Sequence, residues 1–488
     1  MAFKIHIAKG ICTGLLITGF CLIDEIRAQI RHAPEGYSIV TVDTPEDVRF
    51  SATGLDIDSE GTVWVATRLG DVWRQENGRD WKLFATGLHE PAGLLCDDDG
   101  TILVAQKPEL TRLVDLDRDG VADEYVQVTS EFDFHDNYHE YHYGPIKDAS
   151  GVYHGLLNLD HQAQGTLNLG GAMGSVGGYR GWAYRVFPDG TFDAYAVGLR
   201  SAAGIGISPW GEIFCIDNQG DWVATSKLHL LEPGKFYGHP VSLRDREGYS
   251  LELINAGKEE DFDRFRETPA IWIPHVEVAN SPSNPEWDVT GGKFGPFEGQ
   301  IFVGDQTMSN LFRMSLQKVK GVYQGMVINF MDGFQSGNIR LRFDQKGSLW
   351  VGQTGRGWKS KGGKLYGVQK VVWDGTNPFE ILDIKLTDTG FNITFTEDLD
   401  QTQIDVGTVS VQKFHYPYTR NYGAPKTELE PVGVQSVNLL VDGRTLAVKL
   451  PLTAGKVYEF DINRLQSLSG RRVSVSKAFY TLNELVYP

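Results

Sequence analysis

The stretch DSEGTVWVATRLGDVWR, Asp58–Arg74, decides the fold. Gly61 accepts positive φ in a tight turn, the run that follows suits a buried pleated strand, and a second strand begins just beyond the turn at Gly70. The device recurs as DDDGTILVAQKPELTRL from Asp97, DASGVYHGLLNL from Asp148 and SPWGEIFCIDNQG from Ser208, then as FEGQIFVGDQTMSNLFRM from Phe297 and DQKGSLWVGQTGRGW from Asp344. A spacing of roughly 40 to 60 residues, with one wider gap, matches the four-stranded blades of a propeller better than a sandwich or a helical solenoid. The expectation is an all-β chain: a six-bladed β-propeller over residues 38–372, with seven blades as the alternative. After Lys370 the glycine-turn repeat stops, and FEILDIKLTD, FNITFTED, SVNLLVDGRTLAVKL and KVYEFDI alternate instead. With Asp442-Gly443 as a hairpin turn, they predict a small C-terminal Ig-like β-sandwich over 376–488, a spacer or a glycan-binding appendage.

Bulk composition bounds the partners. The 488-residue chain has 56 glycines, 11% aromatics and a formal charge of −17, which repels phosphate backbones and excludes nucleic acid. Residues 1–28 have the pattern of a signal peptide: Lys4 and Lys9, an apolar stretch from Ile11 to Ile23, and Ala28 before Gln29. The protein is therefore expected to be exported, periplasmic or secreted. Phe20 before Cys21 fits a lipobox poorly, so no lipid anchor is expected. Cys96 and Cys215 belong to no CxxC or CxxCH pattern and are read as buried free thiols, which excludes a zinc cluster and c-type haem. No later segment is long and apolar enough to cross a membrane.

Several constellations carry chemistry. In DLDRDGVADE, Asp115, Asp117, Asp119 and Asp123 occupy positions 1, 3, 5 and 9 of a calcium loop, Gly120 supplies its turn and Val121 its backbone ligand. Position 12 is Val126 rather than glutamate, so this is a shortened loop with a structural calcium. FDFHDNYHEYHYGP brings His135, His139 and His142 together with Asp136, Glu140, Tyr138, Tyr141 and Tyr143, a mixture suited to a sugar site at a propeller mouth. Arg200 precedes one repeat strand, and Asp217 to Trp222, including Gln219 and Gly220, follow the next in a binding-loop composition. His239, His275, Arg340 and Arg342 recur at equivalent repeat positions, where radial symmetry would converge them. There is no nucleophile elbow, P-loop or dinucleotide fingerprint, and the glycine-rich GSVGG at 174–178 is read as a loop.

GLRSAAGIGISPWGEIFCIDNQG and PGKFYGHP resemble the soluble quinoprotein sugar dehydrogenases, six-bladed propellers that bind pyrroloquinoline quinone (PQQ) and calcium at the mouth. The resemblance spans about residues 45 to 370. PELTRLVDLDRDGVADEY, NYHEYHYG and DNQGDW are closest to the bacterial group labelled membrane-bound dehydrogenase-like. The resemblance implies His139 or His135 as the base for a sugar hydroxyl and Arg200, Gln219, Gly220 and Arg340 as cofactor contacts, with Gly220 in a cofactor-site calcium loop. It leaves Tyr141, His142, Trp222, His239 and His275 for substrate, with an external electron acceptor as partner. The chain departs from the family at Ser201, Asp221, Gln306 and Thr307, where asparagine, proline and a quinone-facing lysine are expected. Two alternatives keep the fold: a polysaccharide lyase or hydrolase using His and Tyr as base and acid, and a non-catalytic glycan- or protein-binding propeller.

Overall fold

The computed structural model describes residues 32–135, 137–161, 173–355, 359–462 and 464–487. The leader expected over 1–28, and Asp136 of the histidine stretch, lie outside them. Four-stranded antiparallel sheets follow one another along the chain. The first joins Ala52–Ile57, Val63–Thr67, Val72–Gln75 and Lys82–Ala85. The second begins at Gly93–Cys96, the third at His142–Lys147 and the fourth at Ala202–Ile207. A fifth opens with the short strand Glu286–Trp287, and the last comprises Asn338–Phe343, Leu349–Thr354 and Tyr366–Trp373. The early strand Tyr37–Val42 completes this last sheet by pairing with Tyr366–Trp373, so the two ends of the repeat region share one sheet. This is the arrangement of a β-propeller.

The recurring turn has a local cause. Asp58 Oδ1 accepts from the backbone N–H groups of Glu60 and Thr62, while Oδ2 accepts from Trp64 Nε1 at 2.9 Å. Asp344 does the same for Lys346, Ser348 and Trp350, and Asp148 for Ser150, Val152 and His154. An aspartate thus closes each of these turns and anchors the ring six residues on.

The innermost strands meet around a ring. A Cβ on Gly54 would lie 2.9 Å from the Gly93 carbonyl carbon, one on Gly93 would lie 1.5 Å from the Gly144 oxygen, and one on Gly204 would lie 2.2 Å from Asn284 Cα. Asn284 then exchanges hydrogen bonds with Leu341 of the last sheet, and Ser51 Oγ, just before the first sheet, donates to Thr354 Oγ1, closing the circle. Arg340 crosses the axis: Nη1 donates to the Ala203 carbonyl at 2.8 Å and the Ile339 carbonyl at 2.6 Å, Nη2 donates to the Ala92 carbonyl, and the guanidinium lies 4.6 Å from the Tyr143 ring centre.

The boundary expected at 372–376 separates segments of sequence, not sheets. Gly325–Ile328, at the outer edge of the fifth sheet, pairs with Ala478–Thr481 near the C-terminus, producing one eight-stranded sheet shared by both parts of the chain. A second sheet, Ile381–Leu386, Gly390–Phe395, Thr445–Lys449 and Ser436–Leu439, packs on it around Phe391, Phe460 and Tyr480, and this core takes in Met326 and Ile328. Buried Arg313 ties the junction by donating to the carbonyls of Ile381 and Leu382 and to Gln300 Oε1. Cys96 and Cys215 are free, and among the described residues no helix is long and apolar enough to cross a membrane.

Arg340→Met removes the donors from carbonyls on three inner-strand segments, each costing about 1–3 kcal/mol when left unpaired and buried. Urea unfolding is expected to show a loss of about 3 kcal/mol or more; a loss below about 1 kcal/mol would mean that Arg340 does not hold the ring.

Candidate functional site

The ring axis carries a cavity at each end. One, of about 460 Å³, is lined by Ala92, Tyr143, Ala203 and Ile339 at its floor; the other, of about 340 Å³, begins one residue further along the same strands, at Gly93, Gly144, Gly204 and Arg340. The Arg340 guanidinium, bonded to Ala92 and Ala203, therefore stands between them and belongs to the floor rather than to a cofactor contact. Arg342, ion-paired with Asp56 at 2.5 Å, lines the smaller cavity only.

The larger cavity gathers the groups with chemical potential. His139 is buried, and its Nδ1 lies 3.0 Å from the Leu159 carbonyl. A carbonyl only accepts, so Nδ1 carries the proton and the Nε2 lone pair faces Ser201 Oγ at 3.4 Å. Burial first, and then the Arg200 charge, pull this imidazole down to about 3, so it is neutral at pH 7. Glu140 builds the loop that carries His139, accepting from the backbone N–H groups of His135 at 3.0 Å and Asn137 at 2.8 Å.

Arg200 is held by Asp221. Its Nε donates to Asp221 Oδ1 at 2.9 Å, and its Nη1 donates to the Gln219 carbonyl at 3.2 Å. His239 Nε2 and the Met173 N–H, both at 3.1 Å, fill Asp221 Oδ2. Burial opposes ionisation of Asp221, yet the His239 contact and the Arg200 charge hold it well below the usual carboxylate range.

Of the residues singled out in the sequence, His139, Tyr141, Tyr143, Arg200, Ser201, Gln219, His275, Gln306 and Thr307 line the cavity. Others do not. His142 is buried between the Gln106 carbonyl at 2.7 Å and the Tyr184 hydroxyl at 2.5 Å, and burial holds it down to about 4. Strand alternation explains its place, because Tyr141 and Tyr143 on either side both face the cavity. Trp222, with φ +62°, packs inward against Phe262 and Tyr418 and lies outside the lining. His239 is buried against Asp221 and acts through it, and half-exposed His135 pairs with Glu140 at 3.2 Å. The cavity also contains Arg68, His161, Lys359 and Tyr422, which the sequence reading passed over. Arg68 had a signal: it directly follows a repeat strand, as Asn218 and Gln306 do, and these also line the cavity.

No family model matches the chain, and no curated protein matches it. Among solved structures, a glucose dehydrogenase is 14% identical with a TM-score of 0.50, the match covering 68% of this chain and 98% of that one. The fold is shared with that glucose dehydrogenase. A putative oxidoreductase (glucose dehydrogenase) from Thermus thermophilus is 18% identical at a TM-score of 0.49, covering 69% of this chain and 100% of that one. The PQQ-bound aldose sugar dehydrogenase from Streptomyces coelicolor is 17% identical at 0.46, covering 70% and 99%. At these identities the likeness is one of fold.

The cofactors that the sequence resemblance implies meet this cavity differently. PQQ is a flat tricarboxylate, and a cavity of about 460 Å³ with Arg68, Arg200 and Lys359 in its wall and the stacked rings of Tyr141 and Tyr143 suits its size, charge and shape. Calcium on the Gln219-Gly220 loop does not fit. The Gln219 carbonyl already accepts from the Arg200 guanidinium, and a Cβ on Gly220 would lie 1.9 Å from Arg200 Cζ, so an arginine occupies the loop where the resemblance implies a metal.

The acidic loop of the second sheet lies apart, between Glu109–Val114 and Glu124–Thr129. Asp115, Asp117 and Asp123 each bring a carboxylate oxygen within 4.8 Å of the others, and Asp115 Oδ1 is buried without a partner. Asp119 is not in this set; its Oδ1 accepts from the Val121 N–H at 2.8 Å, and the Val121 side chain is exposed. Three converging carboxylates suit a hard divalent cation.

Millimolar calcium is expected to raise the melting temperature over EDTA, by about 2–3 kcal/mol of stabilisation at 100 times the Kd, and Asp117→Asn with Asp123→Asn should abolish the rise; no calcium effect on the wild type would remove the ion from this loop. His139 has a depressed folded pKa, so it adds stability above about pH 6.5 that is lost as the pH falls toward about 3. Urea unfolding of His139→Asn between pH 6 and 5 should show a slope shallower by about 1.4 kcal/mol per pH unit, and an unchanged slope would show that His139 titrates normally.

Proposed function

We propose that this chain is an exported, six-bladed propeller with a C-terminal Ig-like sandwich, which oxidises a sugar hydroxyl with PQQ and carries calcium on the Asp115–Asp123 loop. The observation that carries the oxidation is the neutral, buried His139, whose Nε2 lone pair faces Ser201 in a cavity beside the Arg200 cation. Arg200, Arg68 and Lys359 would hold the carboxylates of the quinone, with the Tyr141 and Tyr143 rings as flat neighbours. When bound, PQQ supplies the hydride acceptor, and an external acceptor removes its electrons. His139 Nε2 takes the hydroxyl proton of the sugar, while the Nδ1 contact to Leu159 fixes the tautomer. Free His139 is a weak base because it is buried beside Arg200; an anion placed on Arg200 cancels part of that charge and raises the imidazole toward working range. Asp221 positions Arg200 without touching substrate.

A second reading has support from the same loop. Arg200 on the Gln219 carbonyl also suits a uronate carboxylate, with His139 as the base of a polysaccharide lyase.

Calorimetric titration of residues 29–488 with PQQ, followed by a dye-reduction screen over aldoses, separates the two. The proposal expects binding that Arg200→Ala weakens tenfold or more, and dye reduction that falls by about 100-fold or more in His139→Ala. Absence of PQQ binding sinks the dehydrogenase, and release of unsaturated products from a uronic-acid polysaccharide in EDTA without quinone establishes the lyase.

A further inference from the structure

The Tyr416–Ala424 region belongs to the C-terminal part of the sequence, yet it reaches the mouth of the propeller cavity. Gly423 N–H donates to the Gly220 carbonyl at 2.9 Å, Ala424 N–H to the Ala224 carbonyl at 2.8 Å, and Tyr422 makes an antiparallel bridge with Asp221. Tyr418 donates its hydroxyl to the Gly238 carbonyl, and the Arg420 N–H donates to Glu259 Oε1 at 2.7 Å. The backbone around Tyr422 is thus fixed on both sides. Its ring lines the cavity, with the residue 64% exposed and the Arg200 guanidinium 5.2 Å from the ring centre.

A second exposed tyrosine packs on two residues of the same cavity. Tyr138 is 40% exposed and packs edge-on against His139 at 5.7 Å and His161 at 5.4 Å, both of which line the cavity. Arg200, over which the Tyr422 ring lies, and His161, against which Tyr138 packs, line the same cavity. A single exposed aromatic needs no explanation. Two at one rim, one of them delivered by a distant segment through a set of backbone hydrogen bonds, form a rigid and amphipathic surface beside a cavity that already has its own polar floor and base. Tyrosine rings of this kind take the C–H face of a pyranose while their hydroxyls meet its O–H groups.

We propose that Tyr138 and Tyr422 form an aromatic subsite for a second sugar ring, so that the preferred ligand is a saccharide of two or more units rather than a free monosaccharide. This rests on the carbohydrate-directed function proposed above, though not on its redox chemistry. The inner cavity holds the terminal ring near His139, and the next ring stacks at the rim. The C-terminal module is then part of the specificity apparatus.

The test uses calorimetry on the protein alone, without quinone or turnover, with cellobiose, maltose, lactose and N,N′-diacetylchitobiose compared with glucose, galactose and N-acetylglucosamine. At least one disaccharide is expected to bind about tenfold or more tightly than its own monosaccharide, and Tyr422→Ala or Tyr138→Ala should shrink that ratio to about twofold, while Tyr422→Phe keeps it. A ratio near one in the wild type, retention of the ratio in both alanine variants, or no binding by any of these sugars overturns the subsite. Because PQQ is absent, a failed quinone titration with an intact chain-length ratio would remove the dehydrogenase and leave the subsite standing.

Discussion

The inner strands of successive sheets approach so closely that glycine is required where they cross, at Gly54, Gly93 and Gly204. Close approach leaves backbone carbonyls facing a narrow axis without room for a neighbouring strand to satisfy them. Arg340 answers that constraint, because a planar guanidinium with several donors reaches carbonyls on separate sheets at once. The same side chain divides the axis into two cavities, and the depth of the larger one follows from where it sits. Burial lowers the affinity of Arg340 for its proton only to about 10, so the cation persists throughout the physiological range.

Above that floor, the electrostatics are set by one buried carboxylate. Asp221 sits beneath the cavity wall, ion-paired with Arg200 and in contact with His239 Nε2, and it turns the Arg200 guanidinium onto the Gln219 carbonyl. A cation anchored in this way is preorganised for an anionic group, and it depresses His139 nearby. A guanidinium at this loop is a permanent charge that needs no ligand concentration to be present. The neighbouring carbonyls of Gly220 and Ala224 then accept the strand-like pairing from Gly423 and Ala424, so one short loop serves the cation on one side and the C-terminal module on the other.

Much of this was legible in local pattern. The aspartate-glycine turns, with their tryptophan or histidine six residues on, are built from contacts within seven residues and can be read wherever they recur. The sandwich strands announced themselves by alternation, and His139 and Arg200 by the company they keep. The side chains that turn away from the cavity have a simple geometry. His142 sits between two cavity-facing tyrosines and must point the other way in an extended strand. Trp222 and His239 lie near the cavity in sequence terms but face inward, one to complete an apolar cluster and one to hold a carboxylate.

The repeating sheets, the change of pattern near Lys370, the acidic loop and the base candidate can be read from local pattern, because each depends on residues close together in the chain and on the two-residue period of a strand. Long-range packing alone brings Arg340 across the axis, Arg200 onto the Gln219 loop and Tyr422 to the cavity. Each of those contacts joins residues from separate elements: Arg340 to Ala92 across 248 positions, Arg200 to Asp221 across 21, and Tyr418 to Gly238 across 180. No periodicity encodes such distances. They follow from ring closure and from a C-terminal strand adding to the fifth sheet, which carries a loop of one module onto the working face of the other.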